Sequence, residues 1–266
     1  MEILLIYLVI ALLAEAKPII KHLKLTKTAD KPFKIFSSPK YRLIISGIGK
    51  ERAIVATSHL LTLTPSTAND FLFNIGICAA PKEFEIGEAI MINQIGSSTK
   101  HFYPDMLLRH NFKESEILTV ESAQDENHST CVDMESSAVF TTALYFLKTS
   151  QLGFIKVVSD HFSSKIPTKE DVNSWIEPHV ESFEKLFENA LKLRYKKPIL
   201  SKSLEEKSLE IAKSLRLSHS QKLQLSDALT YYVLNKNSEP ILEVPNTKEN
   251  KLQRNSHFEL LISSLK

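Results

Sequence analysis

Three acidic side chains stand where apolar segments give way to the start of a helix or a loop. Glu15 follows the apolar run 4–13, Asp160 follows 154–158, and Glu135 opens a helical pattern in Val-Asp-Met-Glu. In parallel α/β sheets ligands gather at the carboxyl ends of strands, so carboxylates there are placed to bind a ligand or to activate water. Acids at these positions also suit helix caps and helix first turns, and each signal alone leaves that alternative open.

The chemistry open to these carboxylates differs with position. A carboxylate at Glu135 can accept hydrogen bonds from two vicinal hydroxyls, the arrangement that a ribose offers. An acid at Asp160 can share a proton with a leaving purine nitrogen, and general acid catalysis of this kind contributes roughly 10² to 10⁴-fold. Glu15 is placed to activate a water molecule. Each of these signals is weak by itself, and it is their order along the chain that is specific.

A glycine-containing segment, Ser46-Gly-Ile-Gly-Lys50, follows one predicted strand and precedes a helix. Two glycines let the backbone approach a ligand closely, and a helix N-terminus presents free N–H groups. The segment lacks the spacing of a Walker A loop and the third glycine of a dinucleotide-binding fingerprint. A ligand loop and a plain tight turn both remain open.

The elements that must position these residues form an α/β pattern. Apolar runs bounded by polar or turn residues predict strands, and helical patterns between them predict parallel pairing with crossover helices. All six glycines lie at or before Gly153, and five of them lie in the first half of the chain, so the sharp turns belong there. The predicted strands are 4–13, 43–45, 71–77, 89–92, 117–120 and 154–158, and the predicted helices are 51–63, 135–149 and 168–193.

The last part of the chain reads as a separate helical extension. A polar segment with a proline near residue 195 predicts a linker, so we place one domain at 1–195 and the extension at 196–266. Within the extension, 204–217 and 220–234 are amphipathic helices, 246–256 is a loop, and a short helix starts at 257. No catalytic motif occurs there, and its role is left open.

Composition excludes several classes of partner. The 33 basic and 31 acidic residues are intermixed and give a net charge of +2, which does not favour nucleic acid. The apolar start of the chain is shorter than the ~20 residues of a membrane span and has an acid at position 2, so we expect no membrane association. Two cysteines suit a reducing cytoplasm, and the nine histidines show no metal-ligand spacing. We therefore expect a cytoplasmic protein without metal or cofactor.

Taken in order, these segments resemble the family of methylthioadenosine/S-adenosylhomocysteine nucleosidases and related nucleoside phosphorylases. The resemblance covers residues 1–195, and four of the six glycines lie in the matching segments. Those segments are 11–18, Ser46-Gly-Ile-Gly-Lys50, Asn74-Ile-Gly-Ile, Ile86-Gly-Glu-Ala-Ile, Val132-Asp-Met-Glu-Ser and Val158-Ser-Asp160.

The resemblance implies a phosphorylase-type mixed, largely parallel sheet flanked by helices, and a function in cleaving a purine-type nucleoside at its N-glycosidic bond. It also implies a homo-oligomer, most simply a homodimer. The small-molecule ligand that it implies is a nucleoside, joined by phosphate if the protein is a phosphorylase. The implied roles are general acid for Asp160, water activation for Glu15, ribose binding for Glu135, packing beside the sugar for Met134, proximity to the nucleophile for Ser46 and Gly47, and support of Asp160 for Ser159.

Two segments depart from the family pattern. Where relatives read Asn-Thr-Gly-Ser-Ala-Gly-Gly or similar, this chain reads Asn74-Ile-Gly-Ile-Cys-Ala-Ala80, without the hydroxyl that helps to hold phosphate or the nucleophile. Residues 121–130, where relatives supply the aromatic ring that stacks on the base, contain no such ring except His128. Phe102 or Tyr103 could line the pocket instead, although core packing is the role that we expect for either. We therefore expect hydrolysis, with phosphorolysis as the first alternative and a non-catalytic nucleoside-binding or assembly protein as the second.

Overall fold

Two compact units make up the chain in the computed structural model, Met1–Arg194 and Tyr195–Lys266. The structure describes residues 4–63, 69–97, 100–104, 108–122, 128–163, 165–192, 199–245 and 250–265. The linker predicted near residue 195 falls on 193–198, outside the described residues. Each unit has its own hydrophobic core.

The first unit is built on a mixed sheet. Its centre is parallel, with β1 between β4 and β5, and β5 beside β10. Among the described residues, β5, β10, β6, β8 and β9 pair in a closed circuit, while β3 and β2 extend the sheet beyond β4 as an antiparallel edge. The strands are β1 Ile6–Ile10, β2 Thr26–Ala29, β3 Lys34–Ser37, β4 Tyr41–Ile45, β5 Phe71–Ala79, β6 Ala89–Gly96, β7 His101–Phe102, β8 Lys113–Thr119, β9 Cys131–Asp133 and β10 Leu152–Asp160.

Helices cover both faces of this sheet, so its central strands are apolar throughout. Alternate residues of β1 enter two cores: Tyr7 and Val9 pack with α2 and α3, whereas Leu8 packs with α1, α4 and α5. Such double coverage explains why β1 shows no polar alternation. The helices are α1 Leu13–His22, α2 Lys50–Leu63, α3 Ser136–Ala143, α4 Lys169–Ile176 and α5 Val180–Lys192, and the predicted α/β class is confirmed.

Several predicted boundaries are wrong for local physical reasons. The predicted strand 4–13 ends at Ile10, because the chain turns there into α1. The predicted helix 168–193 is interrupted at Glu177–His179, where Pro178 has no backbone N–H to continue the hydrogen-bond pattern. The predicted helix 135–149 ends at Ala143, after which the chain tightens to i+3 bonds and turns into β10.

The second unit contains three described helices, α6 Lys202–Ser214, α7 His219–Lys236 and α8 Lys251–Ser264. Their buried leucines, with Ile211, Phe258 and Ile262, form its core. Two predicted helices are confirmed, but α8 begins six residues earlier than expected, inside the predicted loop 246–256. Asn250 caps it, accepting a bond from Gln253 N at 3.0 Å. No described helix in either unit has the length and apolar character that crossing a membrane requires.

Candidate active site

The carboxyl ends of β1, β5 and β10, with the end of β9 beside β5, surround a cavity of about 280 Å³. Four acidic side chains line it, and we call it the acidic cavity: Glu15, Asp133, Glu135 and Asp160. The three acids singled out in the sequence therefore meet at one place, although 145 positions separate the first from the last.

Glu15 is held by two backbone N–H groups. It stands in the first turn of α1, where one carboxylate oxygen accepts a bond from Leu12 N at 2.7 Å and the other from Ile77 N at 3.0 Å. The side chain is 2% exposed, and burial raises its pKa to about 7, against the lowering effect of those two bonds and of the Lys156 charge. A Cβ at Gly76 would lie 3.0 Å from Glu15 Oε1, so the absence of a side chain there makes room for the carboxylate.

Glu135 precedes α3 and is fixed by the glycine segment. Its Oε1 accepts a bond from Gly49 N at 2.7 Å. Gly47 and Gly49 have φ of +81° and +98°, a conformation that glycine adopts without strain, and a Cβ at Gly47 would lie 2.8 Å from Arg52 Cδ. Burial and the neighbouring charge of Asp133 raise the pKa of Glu135. The glycine segment therefore positions a carboxylate of the cavity.

A buried ion pair lies behind the two glutamates. Lys156 Nζ is 2.9 Å from Asp133 Oδ2 and donates to Asn74 Oδ1 at 2.8 Å. Burial opposes both charges, yet the Lys156 ammonium keeps the pKa of Asp133 below its usual value, and Asp133 and Glu135 raise that of Lys156. Asp133 also accepts bonds from Ser136 and Thr119, so its charge is fully compensated.

Sequence reasoning missed Lys156 and Asn74. The available signal was a lysine inside the apolar run Gly-Phe-Ile-Lys-Val-Val, since a buried lysine requires an acidic partner. Asn74 was noted only as part of a motif, but its Nδ2 donates to Val9 O at 3.0 Å and so links β5 to β1.

Asp160 ends β10 and is partly exposed to the cavity. Ser159 Oγ lies 2.6 Å from Asp160 Oδ2 and 3.0 Å from the Cys78 carbonyl oxygen, and Ser163 N donates to Asp160 Oδ1 at 2.9 Å. These contacts orient the carboxyl group while it still lines the cavity.

The remaining predicted residues divide into two groups. Met134 and Ser159 line the cavity, as does Ile48 from the glycine segment. Ser46 and Gly47 lie behind the cavity, where their backbone N–H groups donate to Ile10 O at 2.9 Å and Ala11 O at 3.0 Å. These two backbone hydrogen bonds hold the loop that carries Gly49 against the end of β1.

Among the residues that the structure describes, the aromatic ring that lines the cavity is that of Phe162, which sequence reasoning did not single out. It is buried, has φ of +61°, and packs with its ring centroid 5.7 Å from that of His128. Phe102 packs instead on Phe140 at 5.2 Å, and Tyr103 is 62% exposed; neither lines the cavity. Of the segment 121–130, residues 123–127 lie outside the described residues.

The remaining walls of the cavity are apolar side chains and two lysines. Ile77, Val132, Ile166 and Val172 add apolar walls, and Lys165 and Lys169 stand at the exposed side. Within the described ranges, no group of three or more His, Cys, Asp or Glu side chains is arranged to hold a metal ion.

Comparison with known proteins identifies the fold. No family model and no curated protein sequence matches the chain. Solved structures do match: 5′-methylthioadenosine nucleosidase from Arabidopsis thaliana has a TM-score of 0.57 at 18% identity, covering 71% of this chain and 97% of that one. Futalosine hydrolase from Helicobacter pylori has a TM-score of 0.52 at 13% identity, covering 71% of this chain and 98% of that one.

A third match was solved as a complex with a small molecule. It is the 5′-methylthioadenosine/S-adenosylhomocysteine nucleosidase from Neisseria meningitidis in complex with methylthio-immucillin-A, with a TM-score of 0.53 at 15% identity, covering 70% of this chain and 98% of that one. The resemblance inferred from the sequence is thereby confirmed as a shared fold: the first unit has the fold of these nucleosidases.

Proposed function

We propose that the protein hydrolyses the N-glycosidic bond of a purine-type nucleoside. The observation that carries the proposal is the meeting of Glu15, Glu135 and Asp160 around one cavity at the carboxyl ends of the strands. The shared fold with nucleosidases supports the same reaction class.

Each carboxylate has a distinct task in this reaction. Asp160, oriented by Ser159 and Ser163, donates a proton to the leaving base nitrogen. Glu135 accepts bonds from the ribose hydroxyls, with Met134 packed beside the sugar. Glu15, whose pKa is raised to about 7, accepts a proton from the attacking water when its carboxyl group is ionised. Positive charge that develops on the sugar is stabilised by the surrounding carboxylates.

The charge of the cavity favours water over phosphate as the nucleophile. Among the described residues four acids line it, and the buried cation beside it, Lys156, is already paired with Asp133. Lys165 and Lys169 also line the cavity, but they stand at its exposed side, where solvent screens their charges. A phosphate entering beside Glu15 and Glu135 would add negative charge to a buried acidic site, which raises its free energy. The chain also has Ile77 where related sequences supply a hydroxyl. Phosphorolysis is therefore the second candidate.

The nucleosides to test follow from the matching structures and the apolar walls. The matching proteins are nucleosidases of 5′-methylthioadenosine and S-adenosylhomocysteine and a futalosine hydrolase. Ile77, Phe162 and Ile166 offer this chain apolar contacts for a base and for an uncharged substituent. A panel should contain these three nucleosides with adenosine and inosine.

The test is release of free base, measured chromatographically, with and without phosphate. We expect release without phosphate, and Asp160→Asn should lower its rate at least 100-fold. Asp227→Asn, which makes the same change at an exposed acid of helix α7 in the second unit, is the matched control and should retain full activity.

Other outcomes would overturn the proposal in defined ways. Release that requires phosphate would establish a phosphorylase. Saturable nucleoside binding without base release under either condition would identify a non-catalytic binding or assembly protein, the class that the changed segment 77–80 favours.

We further propose that the protein is a homodimer of the cytoplasm. Ile54, Val55 and Leu63 of α2 are 44%, 57% and 57% exposed, an apolar surface that a second copy would bury. Both cysteines are free and buried, which suits a reducing compartment. Sedimentation equilibrium tests the dimer, because a monomer across the micromolar range would contradict it.

A further inference from the structure

A second cavity lies in the first unit, between helix α5 and the segments that lead into β6 and β8. Its volume is about 680 Å³, and we call it the basic cavity. Among the described residues that line it, basic side chains outnumber acids by five to one: Arg109, His110, Lys113, His179 and Lys185 against Glu88. The proposed nucleosidase reaction uses none of them.

The single acid does not neutralise the cavity. Glu88 Oε1 is 2.7 Å from Lys113 Nζ, and this pair satisfies both charges. Arg109 and Lys185 are exposed, and neither forms an ion pair with any other residue that the structure describes. Two full positive charges therefore remain for a ligand.

His110 adds a polar atom that the fold leaves unsatisfied. Its side chain is 7% exposed and its ring stacks on Phe112, with centroids 5.8 Å apart. Nε2 lies 3.8 Å from Glu114 Oε1, whereas the buried Nδ1 has no hydrogen-bond partner among the described residues. Buried polar atoms are nearly always hydrogen-bonded in native proteins, so this one indicates a missing partner.

The other wall of the cavity is held in place by His179, which forms one hydrogen bond and one ring contact. His179 Nε2 donates to Gly87 O at 2.7 Å, and its ring stacks on Phe183. This bond ties the start of α5 to the turn before β6, so the two walls of the cavity are joined at one end.

We propose that the basic cavity binds the phosphate group of a small molecule. Arginine, lysine and histidine are the side chains that bind phosphate oxygens, and an arginine can donate two parallel bonds to one phosphate. A volume of about 680 Å³ falls in the range of sites for whole small molecules and exceeds the need of a free phosphate ion. Ser182, Asn111 and Asn189 supply neutral donors for the remainder of such a ligand.

The test uses the full-length protein at constant ionic strength, with three probes measured by calorimetry and by ¹⁵N chemical-shift mapping. Glucose 6-phosphate represents an organic phosphate, inorganic phosphate represents the free ion, and glucose is the uncharged control. We expect saturable binding of glucose 6-phosphate, no binding of glucose, and shift changes confined to residues 88–89, 109–113 and 179–189. Saturation by inorganic phosphate with equal affinity would assign the site to the phosphate group alone.

Variants separate a built site from general surface charge. Arg109→Ala/Lys185→Ala should weaken phosphate binding at least tenfold, while Lys40→Ala/Lys192→Ala removes the same charge elsewhere on the first unit and should leave it unchanged. His110→Phe keeps the ring stacked on Phe112 but deletes Nδ1, and it should also weaken binding. Absence of saturable binding, shift changes outside the cavity, or equal loss in both double variants would overturn the proposal.

Discussion

Replacement of Glu15 by glutamine tests the electrostatics of the acidic cavity directly. The carboxyl group is buried, and burial raises its pKa from the ordinary 4.5 to about 7. Below pH 4.5 both the folded and the unfolded chain hold the proton, so the raised pKa has no effect on stability. As the pH rises, the unfolded chain releases its proton first, and the folded state loses stability until the pH passes about 7.

The magnitude follows from the size of the pKa change. At about 1.36 kcal/mol for each pKa unit, a rise from 4.5 to about 7 removes about 3 kcal/mol of stability at high pH, of which about 2 kcal/mol falls between pH 5 and pH 8. Glutamine cannot ionise, so its free energy of unfolding carries no such loss. The glutamine amide also places an N–H donor opposite the N–H of Leu12 or Ile77, so one hydrogen bond is lost. This loss lowers the free energy of unfolding by roughly 1–3 kcal/mol, and it does not change with pH.

The assay is urea unfolding at pH 5 and pH 8, followed by the fluorescence of Trp175, the one tryptophan of the chain, which lies in α4 of the first unit. Relative to wild type, Glu15→Gln should gain about 2 kcal/mol between the two pH values, and the constant penalty cancels in that difference. Glu51→Gln, which replaces an exposed carboxylate, is the control. A stability difference that stays the same at both pH values would refute the description of Glu15 as a desolvated acid.

Three further substitutions test other parts of the first unit. Lys156→Met should lower the free energy of urea unfolding by about 3–5 kcal/mol because it leaves Asp133 buried without its partner, whereas Lys156→Met/Asp133→Leu should lose less; equal losses would contradict the pairing. Asp160→Asn should abolish most base release without changing the melting temperature, and a joint fall of both would indicate a structural role. Gly153→Ala should destabilise the fold by about 1–3 kcal/mol, because the new Cβ would lie 2.5 Å from the Phe73 ring; an unchanged unfolding midpoint would argue against that contact.

The central strands could be predicted because their burial on both faces leaves a continuous apolar run. Peripheral strands could not. β9 has three residues and β7 has two, too few for a periodic pattern, and β2 is an exposed edge strand of polar residues. Their pairing depends on partners distant in sequence, such as Val132 with Ala79.

In the site, the positions of the three acids could be predicted because the ends of strands can be located from local sequence. The ion pairs and hydrogen bonds that compensate the acidic charges could not be predicted. They depend on contacts such as the one between Lys156 and Asp133, which lie 23 positions apart in the sequence. The pKa of Glu15 likewise depends on Ile77, which a strand 62 residues later brings to it. Local pattern therefore predicts which acids line the cavity, whereas the tertiary contacts decide their protonation.

The two cavities of the first unit have opposite charge but share backbone contacts. Val158 N donates to Glu88 O at 2.9 Å, and Gly87 N donates to Val158 O at 2.7 Å, so the strand that ends in Asp160 is bonded to the turn that borders the basic cavity. A phosphate that changes the rate of base release therefore has two routes of action. If phosphate is the nucleophile in the acidic cavity, Arg109→Ala/Lys185→Ala should leave its effect intact. If phosphate acts from the basic cavity, the same variant should remove the effect while phosphate-free hydrolysis continues.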